Sequence, residues 1–346
     1  MRTILLSVTV LFYSTALYAQ SSASKQIGDE IQYETLPDYI EGNQEKMKWH
    51  LHDKFGLFVH LGVYSVAEGY WSEDNTFESR FDGDTSNNHS ARAQQKNVLF
   101  LVIDDLNTWL LSKPERYTGK VIAPNILGLA DSGVNFTHCF TSSPKCSPSR
   151  TALLSGVVPW KSGVYDNGLD VDASPALKNV PSLPKVFQQN GYYIASYGKI
   201  SHGYDTGAEW DDKINHRRDP YPPNAPLNGW AKRKNGSPTQ MDWGPTHLPE
   251  SEMNDTKYAD AAIKQLQKNH TKPFFIACGL FHPHLPWHVP QKYLDMYPLD
   301  KIKLPPVNPD DLNDVPEIAK GFINNGLRES IESHSQVKNA IQGYLA

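Results

Sequence analysis

The feature that most constrains this chain is an apolar run that stops on two carboxylates: Asn97-Val-Leu-Phe-Leu-Val-Ile103, followed by Asp104-Asp105. A strand that is apolar at successive positions, not only at alternate ones, is covered on both faces. That requires a parallel sheet with helices on either side. In an open sheet of this kind ligands bind beyond the carboxyl ends of the strands, which is where the paired aspartates stand. The flanking sequence agrees. A helix is expected over Pro124–Asp131, with proline in its first turn and Gly133 just past its end. Val134–Phe140 reads as a second strand, Ser182–Asn190 as a helix and Tyr192–Tyr197 as a strand. Asp255–Asn269 reads as a helix feeding a strand over Pro273–Phe281, and Glu317–Ala346 is helical in pattern. Strands alternating with helices define an α/β fold, a three-layer sandwich with a largely parallel central sheet. Residues 205–250, rich in Pro, Gly, Trp and Asn, read as a long functional loop of the substrate-lid kind.

The 346 residues carry 33 Lys+Arg against 38 Asp+Glu, a net charge of −5, which gives no basic face for nucleic acid. The N-terminus has the pattern of a secretory signal peptide over residues 1–19. Arg2 precedes the apolar run Ile4–Tyr13, and Ala16-Leu-Tyr-Ala19 offers a small-residue cleavage site. The run is short for a bilayer span and a polar stretch follows it, so the expected location is periplasmic or secreted, with no membrane association after cleavage. Residues 76–95 are polar and nearly free of aliphatic side chains, as in a linker. The expected organisation is therefore a signal peptide (1–19), a separate segment (27–75), a linker (76–95) and a catalytic domain (96–346).

Several groups that carry chemistry fall at strand ends. Asp104 and Asp105 repel each other unless a cation or tight hydrogen bonding holds them, and a hard divalent ion is their natural partner; an ordinary Asp-Asp turn is the alternative. Cys146 lies between Lys145 and Arg150 just before a helix start, a setting that favours an anion. A reactive thiol and a disulfide with Cys139 are the plainer readings. With three cysteines at least one is unpaired, and Cys278, inside an apolar run, reads as a core residue. His282, His284 and His288 raise a zinc reading, because His-x-His on a strand directs both rings to one face. Trp210, Tyr221, Trp230 and Trp243 are candidates either for scaffold packing or for a sugar-stacking wall.

The stretch Cys146-Ser-Pro-Ser-Arg150-Thr-Ala-Leu-Leu-Ser-Gly156 resembles the signature of the type I sulfatases, whose cysteine is converted after translation to formylglycine. Three further blocks resemble that family in order: Asn97–Asn107 with its paired aspartates, Gly198-Lys199-Ile-Ser-His202, and Phe281-His-Pro-His284-Leu-Pro-Trp287. With Pro290–Pro298 the wording is most similar to the iduronate-2-sulfatase-like branch, over about residues 96–346. The resemblance implies an alkaline-phosphatase-like fold and a sulfuric ester hydrolase acting on a sulfated carbohydrate. It implies a formylglycine hydrate at position 146 as nucleophile, made by a formylglycine-generating maturation enzyme. It also implies a calcium ion, with magnesium as the second candidate, on Asp104, Asp105 and residue 146. Catalytic roles fall on Cys146, Arg150, Lys199, His202 and His284. Arg150 would hold the hydrate, Lys199 neutralise sulfate, His202 assist the hydrate, and His284 protonate the departing alkoxide. An aldehyde hydrate suits this chemistry, since one hydroxyl attacks sulfur and the other lets sulfate leave.

Two departures accompany the resemblance. The family's later metal block, an Asp followed closely by His or Asn with a lysine beyond, does not occur before Ala346, so the C-terminal part of the fold is expected to be missing and cation affinity to be poor. Residues 46–72 instead resemble the first barrel strand of the retaining α-L-fucosidases, with His60 at the sugar-contacting position and Leu61 where that family has tryptophan. This segment reads as a remnant, since one barrel strand cannot close a barrel or supply the carboxylate pair a glycosidase needs. The alternatives to a working sulfatase are a catalytically inactive truncated fusion fragment and a phosphomonoesterase or phosphonate hydrolase of the same superfold.

Overall fold

The computed structural model describes residues 55–61 by their backbone, and residues 96–346 except 112–113, 137–138, 205, 229, 231–239, 318–319 and 321–326. The signal peptide, the linker and most of the 27–75 segment lie outside the described residues. Strands are β1 (Phe55–Leu61), β2 (Asn97–Ile103), β3 (Tyr193–Gly198), β4 (Asp212–Asn215), β5 (Trp243–Pro245), β6 (Phe274–Leu280) and β7 (Trp287–Val289). Helices are α1 (Pro124–Ser132), α2 (Cys146–Ser155), α3 (Pro159–Ser162), α4 (Leu183–Gln189), α5 (Asn254–Leu266), α6 (Gln291–Asp295), α7 (Leu327–Ser333) and α8 (Val337–Leu345). Among the described residues no helix is long and apolar enough to cross a membrane.

β1, β2, β6, β3 and β4 form one parallel sheet in that order, and β5 pairs with β7 in a second, small sheet. The run Asn97–Ile103 is an interior strand, between β1 and β6, as its composition requires. Val98, Phe100 and Val102 face one helix layer, where they pack with Ile194, Phe275 and Ala277 and meet Leu154 of α2 and Phe187 of α4. Leu99 faces the other layer with Tyr197, Ile276 and Cys278, under Tyr258 and Ala262 of α5. Both faces are dry, and each large apolar side chain so buried contributes about 1.5–3 kcal/mol. This is the expected three-layer sandwich.

Three expectations change. Val134–Phe140 is not a strand in its described residues, which are irregular, with Phe136 and Phe140 exposed. Its apolar alternation finds no partner strand in the main sheet, whose order is β1, β2, β6, β3 and β4. Residues 205–250 are not one structureless lid, because they contribute β4 to the main sheet and β5 to the small one. The fucosidase-like strand, for its part, is no isolated element. Its backbone extends the main sheet, in parallel register from Phe55 opposite Asn97 to Leu61 opposite Ile103.

Two glycines bring the strand ends together. Gly198 and Gly279 are register partners at the ends of β3 and β6, and Lys199 N–H donates to the Gly279 carbonyl at 2.9 Å. Gly198 has φ +79°, and a Cβ on it would strike the Gly279 carbonyl; a Cβ on Gly279 would strike the Lys199 backbone. Gly279→Ala is therefore expected to cost about 1–3 kcal/mol in urea unfolding, through backbone overlap that no side-chain rotation relieves. Gly128→Ala, on exposed α1 with no atom within 4 Å of the added Cβ, is expected to stabilise by about 0.5–1 kcal/mol. Equal and small effects would contradict the close approach of β3 to β6.

Candidate active site

The site lies at the carboxyl ends of β2, β3 and β6 and at the first turn of α2. β2 continues for one residue as a ladder, with Asp104 N–H donating to the Leu280 carbonyl at 3.1 Å. The chain then turns sharply at Asp105, whose φ of +60° lies in the left-handed region that Asp tolerates better than most residues. Asp104 is 2 % exposed. Its Oδ1 accepts from Arg150 Nη2 at 2.9 Å, and its Oδ2 receives the Lys199 ammonium. Arg150 Nη1 also donates to the carbonyls of Lys199 and Ile200, the latter at 3.1 Å. Burial alone would raise the Asp104 carboxyl, but Arg150 and Lys199 outweigh it and hold the group below its ordinary value.

α2 places Cys146 and Arg150 one turn apart on a buried face. Ser147 N–H donates to Asn167 Oδ1 at 2.8 Å, which anchors that first turn. Lys145 points elsewhere, since its ammonium pairs with Asp166 at the surface, 2.6 Å away. The cations near Cys146 are therefore Arg150 and Lys199, the latter from another strand. Burial and the Asp104 charge raise the Cys146 thiol against the pull of Lys199, so it stays protonated. Cys139 and Cys146 form no disulfide, and Cys278 is a core residue, its thiol pushed up to about 12 by burial.

The β6 end supplies His284. Its Nδ1 meets the Leu285 carbonyl at 2.5 Å, which can only accept, so Nδ1 carries a proton and Nε2 is free to exchange one. Nε2 lies 3.8 Å from Asp105 Oδ2. Burial lowers the His284 pKa, opposed by Asp105 and reinforced by Lys199. Asp105 is raised by burial, opposed by His284 and reinforced by Asp104. His202 sits within electrostatic range of Lys199, Arg150, Asp104 and His284; burial and those two cations lower its pKa, and its Nδ1 is buried with no hydrogen-bond partner.

All seven residues singled out from the sequence thus converge: Asp104, Asp105, Cys146, Arg150, Lys199, His202 and His284. One ligand atom each from Asp104, Cys146 and His284 lie within 4.8 Å of one another. His284 thus joins Asp104 and Cys146 in a group that could hold a metal ion, where the expected ligands were Asp104, Asp105 and Cys146. Two adjacent carboxylates, one of them raised by burial and further by its neighbour, are oxygen donors of the kind a hard divalent cation takes. The zinc trio does not assemble. His282 pairs with Asp255 at 2.9 Å and His288 with buried Asp242 at 2.9 Å, each away from His284. The aromatic loop is scaffold: Trp230 and Trp243 are 5.7 Å apart, Trp243 and Trp287 5.9 Å, and Trp210 stacks towards core Phe275.

Sequence reasoning missed three residues of this neighbourhood. Phe281 stacks on His284 with centroids 4.6 Å apart and carries Lys199 over its ring at 5.3 Å. Asp255, at the start of α5, accepts from the backbone of Phe281 and His282 at 2.8 and 2.9 Å and fixes the segment that bears His284. Tyr344 bonds the Asp105 turn from α8. Only Phe281 carried a local signal, as the last apolar residue of its strand.

The sheet, its two helix layers and the site at its carboxyl end define an alkaline-phosphatase-like α/β fold. The structure is similar to phosphonate monoester hydrolase SpPMH from Silicibacter pomeroyi, with a TM-score of 0.54 and 19 % identity, covering 72 % of this chain and 56 % of that one. The sulfatase family model matches residues 96–314, and the chain belongs to the sulfatase family. It is 35 % identical over 266 residues to a sulfatase of Formosa agariphila, covering 72 % of this chain and 52 % of that protein. It is 30 % identical over 240 residues to the iduronate 2-sulfatase of Homo sapiens, covering 64 % of this chain and 41 % of that protein. The chain thus spans about half of these relatives' length or less.

The buried charges make a stability prediction. Asp104→Asn leaves Arg150 and Lys199 without their counter-ion and is expected to cost about 3–5 kcal/mol in urea unfolding at neutral pH in chelator. Because the Asp104 pKa is depressed in the fold, its contribution is full above the ordinary 3.8 and fades as pH falls through the lower folded value. The gap between wild type and variant should therefore close in acid. A variant as stable as wild type at neutral pH would contradict the ion-pair assignment.

Proposed function

We propose that this chain carries the catalytic face of a sulfuric ester hydrolase that removes sulfate from a sulfated carbohydrate. The observation that carries the reading is the convergence of Asp104, Cys146, Arg150, Lys199, His202 and His284 at one sheet end. Residue 146, once converted to formylglycine by a maturation enzyme, supplies a hydrate with one hydroxyl to attack sulfur and a second to release sulfate. Asp104, Asp105 and residue 146 would hold calcium, or magnesium, which polarises a sulfate oxygen.

The remaining steps belong to side chains of the chain itself. Arg150, fixed by Asp104 and two carbonyls, stands one helical turn from residue 146 and orients it. Lys199 brings a buried positive charge to the sulfate oxygens. His202, whose buried Nδ1 has no hydrogen-bond partner, would hold or accept a proton of the attacking group. His284 delivers the proton from Nε2 to the departing alkoxide; Phe281 and the Leu285 carbonyl keep that ring in place. Export to the periplasm or outside the cell, led by the N-terminal signal, would bring the enzyme to its carbohydrate.

The matured protein should release sulfate from an aryl sulfate and from sulfated sugars, faster than phosphate from the matching aryl phosphate. Cys146→Ala should abolish release. His284→Ala should slow sugar sulfates by about 10²–10⁴ but aryl sulfates far less, since a phenoxide needs little protonation to leave. Because His284 acts as an acid with a pKa below its ordinary 6.5, sugar-sulfate turnover should fall as pH rises through that lowered value, and His284→Ala should lose this limb. Undiminished release by Cys146→Ala, or preference for phosphate, would overturn the reading.

A further inference from the structure

The turn that carries Asp105 is held from far away in the chain. Tyr344, near the end of α8, donates its hydroxyl proton to the Asp105 carbonyl at 3.0 Å, and the same oxygen accepts the Asn107 N–H at 2.7 Å. One phenol oxygen thus closes both ends of the Asp105-Leu106-Asn107 turn, whose first residue has φ +60°. The ring is held edge-on by Trp109 at 5.8 Å and Trp287 at 5.6 Å. α8 itself is docked tightly. Gly343 lies against Trp243 and Trp287, where a Cβ would come within 2.9 Å of the Trp243 Cβ. Gln342 Nε2 donates to the carbonyls of Leu294 and Tyr297 at 3.2 and 2.8 Å. Half-buried, the Tyr344 phenol is raised by desolvation above the ordinary tyrosine value and remains a donor.

We propose that Tyr344 is a positioning residue for the cation-binding end of the site, fixing the left-handed Asp105 turn so that both aspartate carboxylates face a divalent cation together. The proposal rests on the reading of Asp104 and Asp105 as the carboxylate ligands. The chemistry is that of other outer-shell hydrogen bonds. A carboxylate carried on a strained turn binds a cation well only if the turn is held in the bound conformation beforehand. Tyr344 hydrogen-bonds the backbone on either side of that carboxylate and acts through it.

The test is calcium binding to the full chain, followed by isothermal titration with Ca²⁺ alone in wild type, Tyr344→Phe, Gln342→Ala and Asp105→Asn, together with melting in chelator. Tyr344→Phe keeps the ring and removes only the hydroxyl. It is expected to weaken Ca²⁺ by about 10- to 100-fold. Gln342→Ala removes a comparable pair of hydrogen bonds from the same helix, away from the turn. It is expected to lower the metal-free melting temperature similarly while leaving Ca²⁺ affinity within a few-fold of wild type. Wild-type affinity in Tyr344→Phe, or equal weakening in both helix variants, would overturn the positioning role. A wild type that binds Ca²⁺ no better than Asp105→Asn would overturn the ligand assignment on which the proposal rests, a result distinct from either of these.

Discussion

Everything in the site is arranged around one buried carboxylate. Asp104 follows an interior strand of the sheet, and it is joined to Arg150 on α2 and to Lys199 just past β3. Placing three charges in the interior is costly unless the geometry satisfies all of them, and each partner here makes further bonds to backbone carbonyls or to the sheet ladder. The network consequently ties three elements that are distant in sequence to one point. The helix cannot rotate without unpairing Arg150, and the β3 end cannot withdraw without unpairing Lys199. Cys146, one turn from Arg150, inherits that fixed position.

The backbone makes this arrangement sterically feasible. The Gly198–Gly279 pair allows β3 and β6 to finish close together, so that Lys199 and the His284 segment flank Asp104 from adjacent strands. Asp255 pins the loop after β6 by accepting from two successive backbone amides, and Phe281 stacks beneath His284. On the far side the Asp105 turn is fastened by Tyr344, and α8 in turn by the small sheet of β5 and β7 with its tryptophans. The aromatic residues of the 205–250 region thereby serve the scaffold that reaches the site.

Much of this was readable in the sequence where a single strand or helix carries its own signal. Uninterrupted apolar runs located β2 and β6, and the order of Asp104-Asp105, Cys146-x-Pro-x-Arg150, Lys199-x-x-His202 and His284 located the site. Val134–Phe140 misled because strand propensity alone does not say whether a segment pairs into a sheet. The opposite held for Phe55–Leu61, read as an isolated barrel remnant: its backbone finds an edge beside β2. Lys145 seemed a cation for Cys146 from spacing alone, yet a surface aspartate claims it. Tyr344 was beyond reach, because a residue that acts on a turn 239 positions away leaves no local pattern.

On the function proposed for this chain, these groups direct attack onto sulfur, not onto the sugar carbon. The most direct measurement is hydrolysis of a sulfated sugar by the matured protein in water labelled with heavy oxygen, followed by mass analysis of both products. The account requires solvent oxygen in the released sulfate and none in the sugar hydroxyl, because the hydrate at position 146 exchanges with solvent and the sugar keeps its own oxygen. Label in the sugar hydroxyl, or no sulfate released at all, would contradict it.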